Sequence, residues 1–193
     1  LIEVIGKDIM LKNRIIITLL VILTGMVSAQ AEVAENTVEV MLVNPLDDER
    51  GYCLDIAGGQ GKNAPVEKGL QAHTCYNYTG SILEDQGFDK ALINSGQLYI
   101  PYFNVCMSAP SLTVGEAMTL SQCSDQDTQK FELNTSGQLV SIVNPQLCVT
   151  VSKTEKKEGR GGSPVHVMRP VSLQMCENTN NAYQIWAVNS PVN

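Results

Sequence analysis

The sequence predicts an all-β domain built from three related units, and three observations carry that expectation. The six cysteines fall into three opening and closing pairs. After each pair, a glutamine stands two residues ahead of an aromatic ring. Short stretches of alternating apolar and polar residues recur between turn formers, and no segment beyond residue 31 shows helical periodicity.

The elements follow in chain order. From Met10 the chain runs MLKNRIIITLLVILTGMVSAQA, with Lys12 and Arg14 ahead of an apolar run from Ile15 to Leu23 and Ala29-Gln30-Ala31 as a small-residue cleavage site. This pattern predicts a secretory signal peptide, with Met10 the expected start and residues 1–9 an upstream extension. The apolar run is well short of the ~20 residues that span a bilayer. An uncleaved anchor is the alternative. The expected domain is 32–193, located outside the cell or in a periplasm.

VEVMLV, Val38 to Val43, alternates as a strand does and opens the domain. Three cysteine-bounded lines follow: CLDIAGGQGKNAPVEKGLQAHTC from Cys53 to Cys75, CMSAPSLTVGEAMTLSQC from Cys106 to Cys123, and CVTVSKTEKKEGRGGSPVHVMRPVSLQMC from Cys148 to Cys176. Beyond them stand DQGF (Asp85–Phe88), TQKF (Thr128–Phe131) and YQIW (Tyr183–Trp186). SGQL occurs at Ser95–Leu98 and again at Ser136–Leu139, each time ahead of the next opening cysteine. The units therefore span about 45–90, 91–133 and 134–189. A propeller needs about four or more blades of this length, so three units require another closure.

Composition narrows the partners. Beyond residue 31 the chain carries ten basic and eighteen acidic residues. A body of that charge repels phosphate backbones, so nucleic acid is excluded as the expected partner. An even number of cysteines in an exported chain reads as disulfides, and six allow 15 pairings.

Three copies of Cys-apolar-x, a closing cysteine and Gln-x-aromatic resemble the ricin B-type lectin family over about residues 37–189. The resemblance implies a β-trefoil of three four-stranded repeats with pseudo-threefold symmetry, in which VEVMLV supplies the strand that closes the ring. It implies disulfides within repeats, Cys53–Cys75, Cys106–Cys123 and Cys148–Cys176, which is also the economical pairing. Phe88, Phe131 and Trp186 are expected in the core, one per unit, and their glutamines can satisfy backbone groups at a turn.

The resemblance also implies a shallow sugar pocket in a repeat that keeps three features. These are an aspartate just after the first cysteine, an aromatic two residues before the second, and a polar pair at the Gln-x-aromatic motif. A carboxylate offers several acceptor sites to sugar hydroxyls. Repeat one keeps most of this, in Asp55, Gln71, His73, Asp85 and Gln86. His73 stands where a larger ring is expected and makes a weaker platform, with Tyr76 and Tyr78 as possible substitutes. The alternative for Asp55 is a loop carboxylate accepting backbone N–H groups. Repeat two has Ser108 and Ser121 at these positions and repeat three has Thr150 and Gln174. Both are expected to be degenerate.

No catalytic constellation, cofactor motif or metal motif stands out. His73 and His166 lack metal-ligand spacing, no C-x-x-C occurs, and GGQGK at Gly58–Lys62 lacks the phosphate-loop spacing. Adjacent acids such as Glu84-Asp85 read as a solvated surface. KTEKKEGRGG, Lys153 to Gly162, is a basic insertion, read as a solvated loop or a contact for an acidic partner or an anionic membrane. The expected protein is a non-enzymatic carbohydrate-binding module for a glycan or glycoconjugate. The alternative is a degenerate trefoil that binds protein, as a delivery subunit of a secreted toxin or adhesin.

Overall fold

The computed structural model describes residues 36–76, 79, 82–178 and 181–189. The expected upstream extension and signal peptide, residues 1–31, lie outside the described residues, as do Asn77 and Tyr78.

Each unit contributes four strands. The first has β1 (Thr37–Leu42), β2 (Tyr52–Ile56), β3 (Leu70–Thr74) and β4 (Phe88–Asp89). The second has β5 (Tyr99–Ile100), β6 (Val105–Ser108), β7 (Thr119–Ser121) and β8 (Phe131–Leu133). The third has β9 (Leu139–Ser141), β10 (Leu147–Val151), β12 (Val167–Met175) and β13 (Trp186–Asn189), plus β11 (Lys157–Glu158) inside its insertion. A one-turn helix, α1 (Lys90–Asn94), interrupts the β pattern and was not expected. It is too short to show periodicity, and Asp89 caps it by accepting from the Leu92 N–H at 2.9 Å.

Closure of the ring is non-local. β1 pairs with β13 in antiparallel register, from Glu39 opposite Asn189 to Leu42 opposite Trp186. VEVMLV therefore lies beside the last strand of the chain, and its Val38, Val40 and Leu42 point into the core. The second and third units also open and close alike. The glycine of SGQL accepts from the N–H of the unit's own motif aromatic, Phe131 to Gly96 at 2.9 Å and Trp186 to Gly137 at 2.7 Å. In the first unit the equivalent aromatic, Phe88, pairs with Val38. All three rings are buried, and Trp186 donates its indole N–H to the Val149 carbonyl at 2.9 Å. Burial of rings of this size stabilises by roughly 2–3 kcal/mol each.

The inner hairpins β2–β3, β6–β7 and β10–β12 meet at one end. The Leu70 N–H donates to Met118 O at 2.9 Å, the Met118 N–H to Val171 O at 3.3 Å, and β12 pairs with β3. Gly69 permits the first crossing. Its φ is +71°, and a Cβ there would stand 2.6 Å from the Met118 carbonyl oxygen.

The disulfides lie within units, Cys53–Cys75, Cys106–Cys123 and Cys148–Cys176. Each ties the first strand of an inner hairpin to the end of the second.

The basic insertion is exposed over most of its length, as expected of a solvated loop, but it is also tied down. Lys157 and Glu158 pair with Met168 and Val167 as a strand. Lys156 reaches Asp47 at 2.6 Å, and Arg50 donates to the carbonyls of Pro164 at 3.0 Å and Val165 at 2.7 Å. One ion pair and two hydrogen bonds to backbone carbonyls hold the segment against the first unit, and they connect residues more than a hundred positions apart in sequence.

Candidate functional site

Hairpin register assembles the first-repeat constellation. Asp55 on β2 stands opposite Gln71 on β3, and Cys53 stands opposite His73. Residues directly opposite share a face, so the acid and the amide meet without help from any loop. Gln71 donates to one oxygen of Asp55 at 2.9 Å, and Gln86 donates to the other at 3.0 Å.

Gln86 has a second task. It donates to the Thr74 carbonyl at 3.1 Å and accepts from the Tyr76 N–H at 3.2 Å, on the two sides of Cys75. Gln129 does the same around Cys123, donating to Gln122 O at 2.9 Å and accepting from the Ser124 N–H at 2.8 Å. Gln184 repeats it around Cys176, with Met175 O at 2.9 Å and the Glu177 N–H at 2.8 Å. The motif glutamine is thus a clasp on the turn after each hairpin. Its remaining hydrogen bond reaches Asp55 in the first unit, Ser121 in the second and Thr150 in the third.

Asp85 is close enough for its charge to act on Asp55. One of its oxygens accepts the Gly61 N–H at 2.8 Å, while the other is buried without a hydrogen-bond partner. Burial raises the Asp55 carboxyl well above the usual range, reinforced by the Asp85 charge and opposed by the two amides. Burial also raises Asp85.

His73 does not face solvent. Its Nδ1 lies 2.8 Å from the Thr74 carbonyl, which places the proton on that nitrogen. With that tautomer, the 3.4 Å approach of the Gln86 amide is a contact and not a hydrogen bond. Tyr76 stacks on the His73 ring at 5.3 Å between centroids, and His166 from the insertion meets it edge-on at 5.1 Å. Burial, opposed by the Thr74 carbonyl, moves His73 down to about 4. Of the expected site residues, Asp55, His73, Asp85 and Gln86 are buried, and Gln71 is half-buried.

The third repeat contrasts with the first. Thr150 takes the place of Asp55, opposite Ser172, and Gln174 stands opposite Cys148 as His73 stands opposite Cys53. These residues line an open cavity of about 450 Å³, with Lys153 and Glu177 paired at 3.0 Å among its charged lining and Val114 and Met175 exposed beside it. Val114 comes from the neighbouring unit and cannot be assigned to this place from sequence. In the second repeat, Ser108 stands opposite Thr119 and Ser121 opposite Cys106, with no acid or ring at either position.

Among the described residues, one grouping of metal-ligand types occurs, Glu39 with Cys53 and Cys75. Its two sulfurs are bonded to each other, so it offers no thiolate. Among the described residues, no helix is long and apolar enough to cross a membrane.

No family model matches the chain, and no curated protein matches it. Solved structures do. An agglutinin from Abrus precatorius superposes with a TM-score of 0.52 at 14% identity, over 82% of this chain and 48% of the agglutinin chain. The chain thus spans about half the length of that protein. The C-half of an earthworm R-type lectin, solved with GalNAc, gives 0.51 at 12% identity over 80% of this chain and 98% of that one. The cytolethal distending toxin of Haemophilus ducreyi gives 0.51 at 18% identity over 87% and 89%. Three four-stranded units, three within-unit disulfides and a ring closed by the first and last strands give this chain the β-trefoil fold of the ricin B-type lectins.

Proposed function

We propose that the protein is an exported, non-enzymatic carbohydrate-binding module whose first repeat makes the sugar contact through Asp55. The observation that carries this reading is the setting of that carboxylate. Gln71 and Gln86 fix both oxygens in place, and each oxygen retains a lone pair. Asp55 is itself buried, so a hydroxyl donor reaches Oδ1 only if the half-buried Gln71 moves aside. Asp85 and Gln86 complete the polar wall. The fold supports the reading, since one earthworm lectin half that shares it was solved with GalNAc. Three disulfides fit an oxidising compartment. The test is a glycan array with Asp55→Asn, which keeps the shape and replaces one acceptor oxygen with an amide donor. Array signal is expected to fall about tenfold, the effect of losing one hydrogen bond to the sugar. Unchanged binding by the folded variant overturns the assignment.

A second placement has its own observation, the open cavity over Thr150, Ser172 and Gln174. A Gln174→Ala variant separates the two, because it weakens binding only where the third repeat holds the glycan. The protein-binding alternative draws on the cytolethal distending toxin match and on the enclosure of the first-repeat residues. It predicts a silent array and co-purification of a defined partner from the native host.

A further inference from the structure

Each inner hairpin carries a loop that leans on the next unit. In the third unit this loop is the longest, running from the end of β10 at Val151 to the start of β12 at Val167. It leans on the first unit, over His73. The contacts are specific. His166 sits edge-on to His73 at 5.1 Å and to Tyr76 at 5.2 Å. Arg50 holds the Pro164 and Val165 carbonyls, and its guanidinium is itself anchored on Asp48 at 2.7 Å. Asp47 draws in Lys156 at 2.6 Å and Arg169 at 2.9 Å. Gly162, with φ +88° and the His166 ring 2.6 Å from where a Cβ would stand, lets the chain fold back to present that ring. His73 occupies the position where a sugar's apolar face would stack, and it is 4% exposed.

We propose that the third-repeat insertion is an acid-releasable cap over the first-repeat sugar position. The proposal rests on the first-repeat reading above. The release follows from what surrounds the two imidazoles. His73 faces Tyr76, Gln86, the Thr74 carbonyl and His166, with Arg50 and Asp48 near both rings. Burial holds both histidines below their ordinary value, with the other imidazole and Arg50 adding to it at His73, Arg50 adding at His166, and Asp48 opposing at both. Protons therefore bind the uncapped form more tightly, and mildly acidic conditions shift the population toward it. Two imidazolium rings in contact beside a guanidinium would repel. Asp47 and Asp48 are held below the usual carboxylate range by their basic partners, Lys156 and Arg50 first. Both stay charged through this window, so the insertion keeps its tether at Lys156 while its tip lifts.

Hydrogen–deuterium exchange of the exported protein at pH 7 and pH 5, corrected for intrinsic rates, reads the cap directly. Peptides covering 157–168 and 70–76 are expected to lose at least about tenfold in protection at pH 5. The His166→Gln variant is expected to lose clearly less protection in these peptides at pH 5 than the parent, because one of the two titrating rings is gone. Unchanged protection at pH 5 in the parent, or an equal loss in His166→Gln, overturns the cap. A glycan array at both pH values, with Arg50→Ala added at pH 7, separates the two proposals. Stronger binding at pH 5 and in Arg50→Ala, abolished by Asp55→Asn, supports both. Exchange that opens with no glycan bound sinks the first-repeat reading and leaves the cap. Equal Asp55-dependent binding in all conditions removes the cap and leaves the site.

Discussion

At the scale of single residues, the three motif glutamines show how a short signature becomes a fold. Gln86, Gln129 and Gln184 each hold an N–H and a carbonyl on either side of a half-cystine, groups that no strand satisfies. An unmade hydrogen bond at a buried group costs about 1–3 kcal/mol. Gln184→Ala is therefore expected to lower stability by about 2 kcal/mol in chemical denaturation, since it also abandons the Thr150 hydroxyl. A loss under about 0.5 kcal/mol would mean water replaces the side chain at no cost. His73 gives a pH signature. Its folded value of about 4 lies below the ordinary 6.5, so folding favours the neutral ring. That contribution is complete above pH 6.5 and is lost as pH falls through about 4. Asp55 and Asp85, whose values are raised, run the other way and lose their contribution as pH rises above 3.8. The stability difference between the parent and His73→Gln cancels these opposing groups. It is expected to shrink by about 2–3 kcal/mol between pH 7 and pH 4. A difference independent of pH would place the His73 proton in its ordinary range.

At the scale of elements, hairpin register does the positioning. A slip of one residue between β2 and β3 would take Gln71 away from Asp55 and turn the pair to the opposite face. The crossing at Gly69 has little tolerance, because the atom it approaches belongs to backbone. Gly69→Ala is expected to cost about 2–4 kcal/mol, from positive φ together with displacement of the Met118 carbonyl. Urea unfolding checks this, and a cost below 1 kcal/mol, about the φ penalty alone, would show that the two hairpins separate readily. The second unit's disulfide closes the shortest loop, a separation of 17 residues. Replacing Cys106 and Cys123 together by alanine is expected to remove about 3 kcal/mol, with the fold retained by the other two bonds. Unfolding monitored with those two disulfides intact measures that loss.

At the scale of the whole molecule, much of the architecture was legible beforehand. Strand alternation in VEVMLV, the spaced cysteines and the repeated Gln-x-aromatic are local signals, and the elements they mark lie where those signals stand. The within-unit disulfides follow from hairpins, in which residues near in sequence meet. The one-turn helix at Lys90–Asn94 was not legible, because five residues are too few for a period. The exposure of the insertion was legible, because glycine and charge favour solvation. Its anchorage was not, because Asp47 and Arg50 belong to another unit.

Residue type and short spacing were enough for the strands and the three cysteine-bounded units, and the family resemblance added the within-unit pairing and the first-repeat polar set. Which of those residues meet water is settled by folding. Exposure depends on what the neighbouring unit lays over them. Here a loop from the third unit encloses His73, and a valine from the second borders the open cavity of the third.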